Sequence, residues 1–119
     1  MCIRDSTNTG DGFTKTPLPK QAQLRPILDG IELDINKDGK NDIVLVGNIY
    51  NTEVETPRLD YHLSTVLLSD GESLNYNSDY SSDMLIGENS KSIEHFSVRG
   101  QSYILIGNNN APATLFKVK

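Results

Sequence analysis

The chain has 119 residues, which is room for a single domain, and its net charge of −5 comes from 11 basic and 16 acidic residues. The acidic balance disfavours nucleic acid as a partner, because negative charge repels a phosphate backbone. A single cysteine excludes an intrachain disulfide and a cysteine-based zinc site. No apolar run approaches the ~20 residues that span a bilayer. Composition therefore leaves an acidic domain with little catalytic equipment.

The first six residues, Met1–Ser6, join no pattern that follows and resemble a translated adaptor sequence. We expect residues 1–9 to be an artefactual or disordered tail on a chain that begins upstream. The alternative is a frayed native N-terminus. Cys2 lies in this tail with no histidine near it in sequence, so nothing local favours a reactive thiolate.

Short strands are predicted for the rest of the chain. Apolar runs rich in Ile, Val, Leu and Tyr are separated by clusters of Gly, Asn, Asp, Ser and Pro. No segment keeps a 3.6-residue apolar period over ten residues, so we expect little or no helix. Asp11-Gly12 and Asp70-Gly71 indicate hairpin turns, since glycine supplies a positive φ. The predicted strands are Gly12–Pro17, Ile27–Ile35, Asp42–Asn48, Ser64–Ser69, Ser73–Asn77, Ile93–Val98, Ser102–Gly107 and Thr114–Val118.

An internal repeat indicates the architecture. Asp42–Asn48 aligns with Ser102–Asn108 at an offset of 60 residues, and the Ile-Glu dipeptides upstream align at 62. The runs Ile43–Val46 and Tyr103–Ile106 are apolar on both strand faces, which is typical of propeller strands covered by sheets on both sides. We therefore predict an all-β fragment of about two four-stranded antiparallel blades of a β-propeller. The alternative is chance similarity between two buried strands of an ordinary sandwich.

The repeat also divides the chain. A typical blade repeat has ~40–50 residues, and a polar insertion explains the longer period here. We predict the end of a preceding blade over residues 10–26, a blade with an inserted loop at 49–62 over residues 27–80, and a final, incomplete blade over residues 81–119.

One motif, Asp34–Asp42, carries metal chemistry. Oxygen-bearing side chains stand at positions 1, 3, 5 and 9 of this segment. Calcium is a hard cation that takes 6–8 oxygen ligands, and Gly39 permits the sharp turn that brings the chain back. The predicted calcium ligands are the side chains of Asp34, Asn36, Asp38 and Asp42 and the backbone carbonyl of Lys40.

The first half of this motif matches an EF-hand loop, but position 12 is Leu45, where an EF-hand carries glutamate. Strands flank the loop, so we expect a strand–loop–strand calcium site. Magnesium is less favoured because it resists dehydration. The alternative is an Asx-rich turn with solvated carboxylates, although three like charges in a compact turn repel one another unless a cation lies among them. In the second unit the loop has shrunk to Arg99–Gln101, which has no carboxylate.

The loop resembles the calcium loop of FG-GAP/VCBS repeats, the blades of integrin-alpha-type β-propellers. Ile43–Asn48 resembles the inner strand of those blades, Leu67–Gly71 the outer hairpin and Gly10–Phe13 the tail of a preceding blade. Ser69 departs from the pattern, since a glycine often precedes Asp-Gly there. The polar insertion resembles one near the C-terminus of large bacterial VCBS-repeat proteins, through Asn48, Tyr50, Glu55, Arg58 and Asp60.

This resemblance implies a calcium-binding propeller segment with a structural or binding role, in adhesion or in protein or glycan recognition. It implies a location at the cell surface, outside the cell or in the periplasm. The implied partners are the remaining blades and a protein or glycan ligand, with no nucleic acid and no membrane insertion. The segment is predicted not to be an enzyme. The alternative is the non-catalytic part of a propeller enzyme, such as a polysaccharide-degrading one, whose catalytic residues lie on further blades.

Other polar residues have simpler expected roles. His62 and His95 lack metal-type spacing and are expected on strands, exposed or half-buried. Arg58 and Asp60 are expected to order the insertion as an ion pair, with contact to a ligand as the alternative. Asn108–Asn110 is expected to form a turn.

Overall fold

The computed structural model describes residues 4–24, 26–47, 64–84 and 88–119. Cys2 and the insertion predicted at residues 49–62, with Arg58, Asp60 and His62, lie outside the described residues. The elements are β1 (Arg4–Asn8), β2 (Phe13–Pro17), α1 (Lys20–Gln23), β3 (Asp29–Leu33), β4 (Asp42–Val46), β5 (Thr65–Ser69), β6 (Leu74–Tyr76), α2 (Ser78–Asp83), β7 (Ser90–Val98), β8 (Gln101–Asn108) and β9 (Thr114–Lys117).

The predicted all-β class with little helix is confirmed, because strands hold 51% of the described residues and two short helices hold 10%. All sheets are antiparallel: β1 pairs with β2, the first sheet runs β3-β4-β5-β6, and the second sheet runs β7-β8-β9. Each of the eight predicted strands corresponds to an observed one. Among the described residues, no helix is long and apolar enough to cross a membrane.

The two larger sheets repeat the same strand order, but the register of the repeat differs from the sequence alignment. Ile31 of β3 pairs with Val44 of β4, and Ile93 of β7 pairs with Ile106 of β8. Both strands of the hairpin are therefore related by an offset of 62 residues. In the sequence alignment, Gly47 matches Gly107 at an offset of 60 residues. The strand pairing therefore shifts β8 by two residues relative to that alignment.

The tail expected over residues 1–9 contains a strand instead. All five residues of β1 pair with β2, from Arg4 opposite Pro17 to Asn8 opposite Phe13. At the turn the Thr9 N–H donates to the Gly12 carbonyl at 2.9 Å. The positive φ falls on Gly10, at 89°, rather than on the glycine of the Asp-Gly dipeptide. The tight turn brings β1 against β2, whose β-branched threonines favour strand structure. The polar composition of β1 did not indicate this pairing.

The main core lies between the first and second sheets. The first strands of the two sheets, β3 and β7, contact each other. Asp29 links them, because its Oδ2 accepts a hydrogen bond from the Ile93 N–H at 3.0 Å. Each buried aliphatic side chain contributes ~1.5–3 kcal/mol. The buried residues of this core are Leu33, Ile35, Val44, Val46, Val66, Met84, Ile93, Ile104 and Ile106.

One face of the second sheet has no cover within the described residues. Alternation along the strands places Phe96, Tyr103, Leu105 and Leu115 on the face opposite the core. Leu115 is 56% exposed and Leu105 is 39% exposed. The rings of Phe96 and Tyr103 stack with centroids 5.6 Å apart. We refer to these four residues as the outer face.

Candidate calcium-binding loop

The predicted calcium loop lies between the end of β3 and the start of β4. The buried side chain of Ile35 anchors its first half in the core. Lys37 and Gly39 adopt left-handed conformations, with φ of 62° and 85°. Such a conformation costs ~1–2 kcal/mol for a residue other than glycine. The hydrogen bonds of the loop therefore have to hold Lys37 in place.

Asp34, Asn36 and Asp38 fold around the backbone amides of the loop. The Asp38 N–H donates to Asp34 Oδ1 at 3.0 Å and to Asn36 Oδ1 at 3.1 Å. The Gly39 N–H donates to Asp34 Oδ2 at 2.8 Å, and the Lys40 N–H donates to Asp38 Oδ1 at 2.8 Å. Oxygens from loop positions 1 and 3 thus lie close to the same nitrogen. The structure brings these three predicted side chains together.

Asp42 joins the loop to the first sheet. Its side chain is fully buried, with 0% exposure. Oδ2 accepts from the Ile35 N–H at 3.1 Å, and Oδ1 accepts from the Ser69 N–H at 2.9 Å. Hydrogen bonds to a charged group stabilise a fold by ~1.5–3 kcal/mol each. This carboxylate therefore holds the start of the loop against the end of β5.

Lys40 connects the loop to the turn between β5 and β6. Its Nζ donates to the Asp70 carbonyl, and its side chain lies against Gly71. Asp70 organises that turn by accepting from the N–H groups of Glu72 at 2.8 Å and Ser73 at 2.7 Å. These amides, first that of Ser73 and then that of Glu72, lower the pKa of the Asp70 carboxyl from 3.8 to about 2.

The side-chain oxygens of this loop are of the type that calcium binds, but their positions do not form a convergent site. Three carboxylates and one amide oxygen are hard ligands. Each carboxylate oxygen has two lone pairs, so an oxygen that accepts one N–H retains one for a cation. Among the residues that the structure describes, no group of three His, Cys, Asp or Glu side chains converges as a metal site. Calcium would require the remaining lone pairs of Asp34, Asp38 and Asp42 to face a common point.

Sequence reasoning missed two long-range hydrogen bonds, one at the loop and one between the two sheets. The Ser69 N–H binds Asp42 across 27 positions of sequence. Asp29, at the start of β3, binds the Ile93 N–H across 64 positions. Neither pairing leaves a local sequence signal. The exposed position of His95 on β7 agrees with the prediction for that residue.

No protein-family model matches the chain, and no curated protein or solved structure matches it either. The sheets and the acidic loop are therefore the observations on which a functional assignment rests.

Proposed function

We propose that the chain is a repeat segment of a calcium-binding β-propeller of the FG-GAP/VCBS kind, with a structural or binding role rather than a catalytic one. The observation that carries the proposal is the repetition of one unit: two consecutive antiparallel sheets, with Ile31–Val44 pairing in the first and Ile93–Ile106 pairing in the second. Contact between their first strands, β3 and β7, is the arrangement expected of neighbouring blades.

The outer face also supports the proposal, because it is a surface that a further blade would cover. Exposed leucines and stacked aromatic rings on one sheet face are typical of a surface that another layer covers. In the proposed propeller that layer is the next blade. A neighbouring sheet packs ~10 Å away and buries such side chains between the two layers.

Calcium in the Asp34–Asp42 loop has a structural role in this proposal. Asp34, Asn36, Asp38, Asp42 and the Lys40 carbonyl hold the cation, and calcium supplies the positive charge that offsets three carboxylates. Two residues attach the loop to the first sheet: Asp42 binds the end of β5, and Lys40 binds the β5–β6 turn. Ordering this loop therefore fixes the position of β5 relative to β4.

Recognition of a protein or a glycan, at the cell surface or outside the cell, completes the proposal. Extracellular calcium modules bind with Kd of ~10⁻⁴–10⁻³ M. An affinity in that range suits a site that stays loaded in a calcium-rich medium. The remaining blades of the propeller are the partners that the outer face requires.

Isothermal titration calorimetry with calcium tests the proposal. We expect one site per chain and weaker binding by Asp38→Asn, because an amide oxygen still ligates calcium but carries no charge. This variant removes one negative charge but retains an oxygen that accepts from the Lys40 N–H. Asp11→Asn in the β1–β2 turn makes the same charge change outside the loop and is the matched control. No heat up to ~10 mM calcium, or equal binding by Asp38→Asn, would contradict the proposal.

A further inference from the structure

Four aspartates of the chain are each followed by glycine: Asp11, Asp29, Asp38 and Asp70. An Asp-Gly peptide can rearrange, because no side chain shields the glycine nitrogen. The nitrogen attacks the aspartate Cγ, the carboxyl oxygen leaves as water with the amide proton, and a five-membered succinimide forms. Water then opens the ring at either carbonyl and gives aspartate or isoaspartate. One water molecule is lost and one is gained, and nothing is oxidised or reduced.

The Asp29 dipeptide is held inside β3. Asp29 Oδ2 accepts from the Ile93 N–H at 3.0 Å, and Oδ1 accepts from the Gly30 N–H at 2.9 Å. A nitrogen that points its hydrogen at the carboxylate does not turn its lone pair to Cγ. A Cβ on Gly30 would lie 2.8 Å from Leu45 Cδ2, so the peptide has no room to rotate. Attack at Asp29 therefore requires the strand to open locally.

The Asp38 dipeptide is held by the acidic loop. The Gly39 N–H donates to Asp34 Oδ2, and Asp38 Oδ1 accepts from the Lys40 N–H, both at 2.8 Å. The attacking nitrogen and the carboxyl group are thus each fixed to a different partner. Succinimide formation at Asp38 has to break both hydrogen bonds first.

The Asp70 dipeptide is held by the β5–β6 turn. Its carboxylate accepts from the N–H groups of Glu72 and Ser73, and the Gly71 N–H donates to Ser69 Oγ at 3.2 Å. The amides of Ser73 and Glu72 lower the pKa of Asp70 to about 2. Loss of water needs a protonated carboxyl group, and the lower pKa reduces that form more than tenfold at neutral pH.

The Asp11 dipeptide has none of these restraints. It lies between β1 and β2, and its side chain is exposed. Within the described residues, neither its carboxylate nor the Gly12 N–H makes a hydrogen bond. The Thr9 N–H closes the turn by donating to the Gly12 carbonyl. A Cβ on Gly10 or Gly12 would meet no atom within 4 Å, so the space around the dipeptide is open.

We propose that Asp11 is the site of isoaspartate formation in this chain, and that the fold protects the other three Asp-Gly dipeptides. The product carries one additional carbon in the main chain of an open turn and a free carboxylate beside it. That group is a substrate for carboxyl methyltransferases that recognise isoaspartate. The inference concerns the β1–β2 turn alone, so it is independent of calcium and of the proposed propeller.

Prolonged incubation of the full chain in chelator, at neutral pH and physiological temperature, tests the proposal. Isoaspartate is quantified by enzymatic methylation with S-adenosylmethionine, in which a methyl group passes from the sulfonium sulfur to the free carboxylate. Mass spectrometry of proteolytic peptides locates the modified residue. We expect isoaspartate to form at Asp11 at least about tenfold faster than at Asp29, Asp38 or Asp70, because each of those must first break several hydrogen bonds.

The same chain in urea is the reference, because all four dipeptides are unprotected there and are expected to react at comparable rates. Gly12→Ala is the matched variant. Gly12 does not have a positive φ and its surroundings are open, so this variant is expected to fold normally, while its methyl group crowds the nitrogen and slows the reaction severalfold. Equal rates at the four dipeptides of the folded chain would overturn the proposal. So would a much slower reaction of Asp11 in the folded chain than in urea, or an unchanged rate in Gly12→Ala.

Discussion

Removal of the Asp42 carboxylate is expected to destabilise the fold far more than removal of the Asp38 carboxylate, which belongs to the same loop. Asp42→Ala deprives the N–H groups of Ile35 and Ser69 of their acceptor inside a site with 0% exposure. At ~1.5–3 kcal/mol for each bond to a charged group, the expected loss of unfolding free energy is about 3–6 kcal/mol. Asp38→Ala removes two exposed hydrogen bonds, from the Lys40 N–H and from Asn36 Nδ2, and is expected to cost only ~0.5–1.5 kcal/mol, because water replaces the lost acceptor.

Urea unfolding followed by circular dichroism, with a chelator present, measures this difference without any contribution from calcium. A domain of this size is stable by ~5–15 kcal/mol, so Asp42→Ala is expected to lower the midpoint severely. Asp42→Asn retains one acceptor oxygen and sets an amide donor against the second N–H, so we expect roughly half the loss. That variant supplies the measurement if Asp42→Ala fails to fold. Equal losses for Asp42→Asn and Asp38→Ala would refute the reasoning.

Three further predictions concern calcium, acid and self-association. Calcium at a hundredfold excess over Kd adds about 2.7 kcal/mol if only the folded chain binds it, so the melting temperature is expected to rise by roughly 10 °C and to return on chelation. Calorimetry measures this shift, and an unchanged melting temperature would contradict the structural role of calcium. Because amide donors lower the pKa of Asp70 to about 2 in the folded chain, its contribution to stability is complete above pH 3.8 and is lost as the pH falls through about 2. A carboxyl titration by NMR with a midpoint near 3.8 would show that the turn does not hold this group. Leu115→Lys places a charge on the outer face and is expected to reduce self-association at micromolar concentration, as measured by sedimentation velocity. An unchanged sedimentation profile would mean that the outer face does not mediate association.

The strands were predictable because their signals are local. Turn residues and the short strand-like segments between them located all eight predicted strands, and the positive φ at Gly71 agrees with the turn predicted there. β1 was missed because its five residues include no run of apolar side chains and its partner strand is almost as polar. Its pairing depends on the turn at Gly10, whose φ of 89° was not indicated by the neighbouring Asp-Gly dipeptide.

The inner geometry of the loop was partly predictable for the same reason. Oxygen-bearing residues at positions 1, 3 and 5 bind amides two to five residues away, and such contacts follow from spacing. The role of Asp42 in binding Ser69 was not predictable, since it depends on where β5 lies in the sheet. The depression lined by Lys37, Tyr80 and Phe116 was not predictable for a similar reason, because these residues are distant in sequence and come together only in the folded chain.

The two repeat units close their first hairpin by different means, and the difference explains why only one of them carries carboxylates. In the second unit Arg99 and Gly100 both have positive φ, at 52° and 78°, so a two-residue turn of the kind that matches strand twist joins β7 to β8 without side-chain help. In the first unit eight residues separate β3 from β4, and side chains supply the acceptors that keep the longer connection folded. An ion that neutralises those carboxylates would keep the first hairpin closed, as the short turn keeps the second hairpin closed. On this reasoning the acidic loop is a structural element of its unit, and grafting the Arg99-Gly100 turn in its place is expected to leave β3 and β4 paired.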